Sequence, residues 1–161
     1  MNSATRPDRS VAGSQVRSTA PLAPSVYVER DRARAALAAA TTSTSVLERY
    51  ATAHVAALRG AAAVLAARPR PRPRRGRQQR SAWALLDEVE PSLAAWSAFF
   101  ASGAAKRAAA EAGLARMVSD ADATALVVQV GQFLDEVEQL LGLPRGATPD
   151  ARQEALLPRA S

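Results

Sequence analysis

The helical pattern of the chain is clearest in residues 45–67, SVLERYATAHVAALRGAAAVLAA. Leucines, alanines and one histidine recur there at intervals of three and four, which places them on one face of an α-helix. This stripe consists of Leu47, Ala51, His54, Leu58, Ala61 and Leu65. Ser45 followed by Glu48 forms a capping-box pattern at the start, and Pro69 stops the helix because proline has no amide hydrogen. We therefore predict a helix to about Ala67, with small alanines that let a neighbour approach closely.

Helical patterns continue on both sides of this stretch. Upstream, we predict a helix over residues 26–40, preceded by Pro24 and capped by Ser25. Downstream, Ser81 is expected to cap a short helix over residues 82–89. Pro91 then suits the first position of another helix, which Ser102 and Gly103 kink or end. The aromatic residues of that helix, helix-spaced and therefore predicted to lie in the core, are Trp96, Phe99 and Phe100.

The last predicted helix begins with a second box-like pair, Ser119 and Asp122, and ends at Gly142. Its apolar positions are Leu126, Val130, Phe133, Val137, Leu140 and Leu141. Alanine, the best helix former, makes up about a quarter of the 161 residues. We predict an all-α bundle of four to five helices over residues 25–143, with disordered tails at 1–24 and 144–161 and an Arg/Pro-rich linker at 68–80.

Composition excludes several classes of site. The chain has no cysteine, so disulfides, thiolate zinc sites and cysteine nucleophiles are absent, and a single histidine excludes sites that need several. Aromatic residues make up 4% of the chain, which leaves little for base-stacking platforms. The scattered glycines form no phosphate-binding loop. We expect no cofactor.

The excess of positive charge lies in one segment. The net charge is +6, and seven arginines lie within residues 68–80, so the rest of the chain is nearly neutral. They are Arg68, Arg70, Arg72, Arg74, Arg75, Arg77 and Arg80. Cations on an extended, proline-rich arm suit contacts to RNA phosphates. A solvated linker in an arginine-rich protein is the competing interpretation.

Arg49 and His54 are the candidate catalytic residues. Histidine can transfer protons during RNA cleavage, and arginine can stabilise the negative charge of the phosphorane, so the pair could cleave RNA without a metal. Five positions along a helix turn it by about 500°, which points the two side chains roughly 140° apart. A buried histidine on the apolar stripe is the simpler alternative.

Acidic residues form two groups, Asp87, Glu88 and Glu90 in one and Asp135, Glu136 and Glu138 in the other. Carboxylates could bind a metal, but neither group has the Glu-x-x-His pairing of di-metal bundles. We interpret both groups as solvated helix faces and predict no metal site.

Several segments together resemble HEPN domains (higher eukaryotes and prokaryotes nucleotide-binding), and more closely an actinobacterial branch of that superfamily. The similarity is carried by residues 48–59 (ERYATAHVAALR), 61–65 (AAAVL), 81–86 (SAWALL), 96–100 (WSAFF) and 103–107 (GAAKR), and it extends over about residues 26–143. The resemblance implies a bundle of four or five helices that is usually dimeric.

Many HEPN proteins are metal-independent ribonucleases of toxin–antitoxin, defence or RNA-processing systems, and others are inactive binding or scaffold modules. The active residues form an Arg-x4–6-His motif, whose spacing Arg49 and His54 match. Active members carry it on a later helix, whereas this chain has no later histidine. The resemblance therefore favours a non-catalytic binding or scaffold module, which contacts a partner protein, RNA or nucleotide. A metal-independent ribonuclease using Arg49 and His54 is the alternative. It implies a homodimer, RNA, and an antitoxin or nucleotidyltransferase-type protein as partners.

We expect a cytoplasmic location and no membrane contact. The first fourteen residues lack the apolar core of a secretory signal, and the longest apolar stretch, residues 60–67, is too short to span a bilayer.

Overall fold

The computed structural model of the chain describes residues 20–69 and 80–146. Within these ranges the backbone forms six α-helices, two 3-10 turns and no strand. The helices are α1 (Pro24–Thr42), α2 (Val46–Ala67), α3 (Ala82–Val89), α4 (Ala94–Ser102), α5 (Ala104–Glu111) and α6 (Asp120–Leu141), and the turns are Pro91–Leu93 and Ala115–Met117. The predicted all-α fold is confirmed. Most of both predicted tails, and residues 70–79 of the predicted linker, lie outside the described residues.

Helix α2 is the centre of the bundle and packs against α1, α3, α5 and α6. Because neighbours surround it, its alanines are buried on several sides, including Ala53, Ala57 and Ala63. The predicted single stripe was therefore too narrow, and Leu47 and Leu58 are only partly buried. By length and composition, α2 is also apolar enough to span a membrane, although half of it is buried inside the fold. The expectation that no segment could span a bilayer considered only residues 60–67, the longest uninterrupted apolar stretch, and not the whole of α2. Helices in the core of a protein are often equally apolar.

Gly60 sets the close approach of α2 to α6. A Cβ atom at this position would lie 2.5 Å from Leu134 Cδ2 and 3.0 Å from Phe133 Cε1. The first distance is shorter than carbon atoms tolerate and the second is tighter than an ordinary contact, so a side chain at Gly60 would force the packed side chains of Leu134 and Phe133 to shift. The two helices thus meet where α2 presents only its backbone.

The helix starts are fixed by side-chain caps at three of the four predicted positions. The hydroxyl of Ser45 accepts from the Glu48 amide at 3.3 Å, and that of Ser81 accepts from the Ala84 amide at 3.2 Å. Ser119 forms a complete, reciprocal capping box at the start of α6. The predicted cap at Ser25 is wrong, since α1 already begins at Pro24 and has no side-chain cap. Proline at the first position needs no amide partner there.

An aromatic cluster fills the space between α2, α3, α4 and α6. Phe100 is buried between the rings of Trp83, 4.7 Å away, and Trp96, 5.9 Å away, while Phe133 contacts it edge-on at 5.1 Å. The prediction that all three aromatic residues of α4 lie in the core is wrong for Phe99, which is 42% exposed. One position along a helix rotates a side chain by about 100°, so Phe99 and Phe100 face different surroundings.

A buried ion cluster joins α1 to α6. Glu138 is fully buried and accepts from Arg34 Nε at 2.9 Å and Arg34 Nη2 at 2.6 Å. It also accepts from the backbone amide of Gly146 at 2.8 Å, and Arg34 Nη2 donates to Asp135 at 2.6 Å. The prediction of a solvated acidic face is therefore wrong for Glu138, whose charge is neutralised inside the bundle.

Candidate functional site

A cavity of about 330 Å³ opens between α2, α4, α5 and α6. Its aromatic and imidazole walls are Tyr50, His54, Phe99 and Phe100. Its polar lining consists of Ser102, Lys106, Asp122 and Gln129, and the remaining lining residues are Gly103, Ala125 and Leu126. The cavity therefore combines flat apolar surfaces with hydrogen-bonding groups, which is typical of small-molecule sites.

His54 and Tyr50 come from the same face of α2 because they lie four residues apart. His54 is 2% exposed, and its ring meets Trp83 edge-on at 5.9 Å and Phe100 edge-on at 6.1 Å. Within the described part of the chain, its Nδ1 atom is enclosed and has no hydrogen-bond partner. The imidazole is thus a buried polar group with unused hydrogen-bonding capacity.

The surroundings of His54 favour its neutral form. Burial, with a smaller contribution from the positive charge of Arg107, lowers the pKa of His54 from 6.5 to about 4. Burial also raises the pKa of Tyr50, so its phenol stays protonated. At neutral pH the deep wall of the cavity is therefore polar but uncharged.

One ion pair lies at the rim. Lys106 Nζ of α5 donates to Asp122 Oδ1 of α6 at 2.8 Å, and both side chains are partly exposed. This hydrogen bond, together with the one from the Ser119 amide, lowers the pKa of Asp122 to about 2. Lys106 and Asp122 neutralise each other, so the cavity lining carries no net charge at neutral pH.

The structure does not bring Arg49 to His54. Arg49 Nε and Nη2 donate to the carbonyl oxygen of Ser43 at 3.2 and 3.1 Å, and Nη1 pairs with Asp120 at 2.8 Å. These contacts tie the α1–α2 turn to the start of α6. His54 lines the cavity, whereas Arg49 does not.

Only two of the seven arginines in the basic segment lie within the described residues. Arg68 donates twice to Glu90, at 2.9 and 2.8 Å, and Arg80 pairs with Glu88. The remaining predicted RNA contacts, which lie outside the described residues, are Arg70, Arg72, Arg74, Arg75 and Arg77. The two described arginines thus hold the ends of this segment against α3 and the residue that follows it.

Among residues 20–69 and 80–146, no group of three or more His, Cys, Asp and Glu side chains could hold a metal ion. Five of the six acidic residues that the sequence groups together have other partners. Glu88, Glu90, Asp135 and Glu138 pair with arginines, and Glu136 accepts from the Trp96 indole at 2.6 Å.

Sequence reasoning missed most of the cavity. The sequence does indicate that Tyr50 lies beside His54, because the two residues are four positions apart on the same helix. No local pattern indicates that Lys106, Asp122 and Gln129 line the same cavity, since only the packing of α5 and α6 against α2 brings them together.

A family model of the SAV_6107-like HEPN domain matches residues 32–138, about two thirds of the chain. The chain belongs to the SAV_6107-like HEPN family. The resemblance seen in the sequence is confirmed, and every cavity residue of this HEPN domain lies inside the matched span. No curated protein and no solved structure gave a significant match. Membership of this family supports a helical domain with a role related to nucleotides or RNA.

Proposed function

We propose that this HEPN protein is a non-catalytic helical module that binds RNA or a nucleotide, with the cavity between α2, α4, α5 and α6 as its binding site. One observation carries the proposal: the only histidine of the chain is a neutral, buried wall of the cavity and is not paired with Arg49. A wall of this kind can bind a ligand without reacting with it.

The low pKa and the burial of His54 make it a poor group for proton transfer. A general acid or base works best when its pKa lies near the operating pH. With a pKa of about 4, His54 is protonated in only about one molecule in a thousand at neutral pH, too few to supply an efficient acid. Its burial between aromatic rings also leaves little room for a ribose hydroxyl beside the imidazole.

Arg49 is committed to structural contacts. Its guanidinium donates to Ser43 and Asp120, so stabilising a phosphate would require it to give up these bonds. The competing function is a metal-independent ribonuclease that uses Arg49 and His54, and it requires a rearrangement of both side chains or a second protomer. HEPN domains often dimerise and bind RNA, and we propose a homodimer here with RNA as its partner. An antitoxin or nucleotidyltransferase-type protein is the proposed protein partner.

The test is a time course with labelled single-stranded RNA in EDTA, in which anisotropy reports binding and a denaturing gel reports cleavage. We expect the wild-type protein to bind RNA and leave it intact. The variants are His54→Phe and Arg49→Met, and Arg59→Met is the matched control because Arg59 is an exposed arginine of the same helix. Cleavage by the wild type and the control, lost in the other two variants, would overturn the proposal in favour of the ribonuclease. Failure to bind both RNA and mononucleotides would overturn it as well.

A further inference from the structure

We propose that the cavity holds one uncharged planar heteroaromatic ring. This inference rests on the proposed function, which supplies a nucleobase as the ring. The occupant is either a base of bound RNA or a free nucleoside-like molecule, and the experiment below separates these two sources.

The size and walls of the cavity fit a single ring. Small-molecule sites usually measure about 300–1,000 Å³, and a cavity of about 330 Å³ lies at the small end of this range, where one base with its sugar fits. Phe99 is 42% exposed although it lies in the wall, so a ring placed against it would remove aromatic surface from water. Stacking of a base on an aromatic side chain contributes about 1–3 kcal/mol.

Hydrogen-bonding groups in the wall indicate a ring with polar edges. Gln129 is partly exposed and lines the cavity, and its amide carries both donors and acceptors. The hydroxyl of Ser102 donates to the carbonyl oxygen of Phe99 at 2.7 Å and keeps its lone pairs as acceptors. A heteroaromatic ring with donors and acceptors along its edge can bond to these groups, whereas a hydrocarbon ring would displace water from them without replacing its hydrogen bonds.

Charge balance indicates that the ring is uncharged. Lys106 and Asp122, the charged residues of the cavity lining, pair with each other at 2.8 Å. A phosphate bound at Lys106 would come close to the Asp122 carboxylate, which is ionised at neutral pH. Repulsion between these two anions disfavours that position. The phosphates of a bound nucleotide therefore stay in solvent outside the cavity.

The first experiment titrates the full chain by calorimetry with adenosine, guanosine, cytidine, uridine, adenosine 5′-monophosphate and inorganic phosphate. We expect at least one nucleoside to bind, adenosine and its monophosphate to differ by less than about threefold in Kd, and phosphate not to compete. Absence of nucleoside binding, competition by phosphate, or a monophosphate more than about tenfold tighter than adenosine would each overturn the inference.

A cavity-filling variant locates the site. Ala125 is exposed on α6 and lines the cavity, so Ala125→Phe should fill it without disturbing the core and weaken nucleoside binding at least tenfold. Val128→Phe is the matched control, because Val128 is an exposed residue of α6 outside the cavity lining. Gln129→Met is a second variant that removes an edge partner, in case Ala125→Phe fails to fold. Nucleoside affinity unchanged in every folded cavity variant would contradict the assignment.

The same variants, tested with labelled single-stranded RNA, separate the sources. If Ala125→Phe weakens RNA and nucleoside binding together, the ring is a base of the RNA. If it weakens only nucleoside binding, the occupant is a free molecule and RNA binds elsewhere on the protein. RNA binding without any nucleoside binding would refute this inference and leave the proposed function standing. Nucleoside binding without RNA binding would refute the RNA part of the proposed function and keep the cavity site.

Discussion

Replacing His54 with phenylalanine should make the stability of the protein less sensitive to acid. His54→Phe keeps an aromatic ring in contact with Trp83 and Phe100 but removes the group that titrates. In the folded protein the pKa of His54 is about 4, against 6.5 for an ordinary histidine. Between these two values the unfolded chain binds a proton that the folded chain does not, so the free energy of unfolding of the wild type falls as the pH falls through this window.

The size of the effect follows from the width of the window. Each pH unit inside it is worth about 1.4 kcal/mol, and about pH 5 lies roughly 1.5 units below the ordinary pKa, which gives about 2 kcal/mol. Solvent in the adjacent cavity reduces this value, so we expect about 1–2 kcal/mol. His54 is the only histidine in the chain, so the difference between wild type and variant isolates its contribution from that of the carboxylates.

The assay is urea unfolding followed by circular dichroism at about pH 8 and about pH 5. We expect the variant to be at least as stable as the wild type at the higher pH, because the unpaired Nδ1 atom is gone. At the lower pH the wild type should have lost about 1–2 kcal/mol more than the variant. An equal loss in both proteins would refute the argument that His54 is buried in its neutral form.

Two further substitutions, each with a matched control, test the packing that positions the site. Gly60→Ala should destabilise the protein by about 1–2 kcal/mol in urea unfolding, because the clash with α6 outweighs the gain of about 1 kcal/mol in helix propensity. Gly131→Ala, whose new methyl group would meet only ordinary contacts, should stabilise it by up to about 1 kcal/mol; destabilisation of similar size in both variants would contradict the packing argument. Arg34→Met should lower the melting temperature and cost about 3 kcal/mol, since it removes both charge-assisted hydrogen bonds to the buried Glu138 carboxylate and leaves it the Gly146 amide and the more distant Arg30, 3.8 Å away. Arg32→Met, at a largely exposed residue, should cost less than about 0.5 kcal/mol. Equal losses of unfolding free energy in the two arginine variants would show that the buried cluster does not stabilise the protein more than a surface ion pair does.

Local features of the fold were predictable from the sequence because they depend on neighbours along the chain. The caps at Ser45, Ser81 and Ser119 need only residues one turn away, and Gly103 separates α4 from α5 as its sequence context suggested. Ser25 shows the limit even of this local reasoning, since Pro24 begins the helix one residue earlier.

Features that depend on packing were not predictable. Glu138 belongs to an acidic run that looks solvated, and only the approach of α1 puts Arg34 beside it. Lys106 and Asp122 come together because α5 and α6 both pack next to α2. The spacing of Arg49 and His54 matches a catalytic motif, but spacing fixes only the angle between two side chains on a helix. It does not reveal that Ser43 and Asp120 engage the arginine.

We infer that His54 is a neutral wall of a binding cavity and does not transfer protons. An NMR titration of the imidazole carbon-bound protons tests this inference, because the chain has one histidine and the signals report that residue alone. We expect one transition with a pKa of about 4. A transition at or above the ordinary value of 6.5 would contradict it and would make His54 a competent acid–base group at neutral pH.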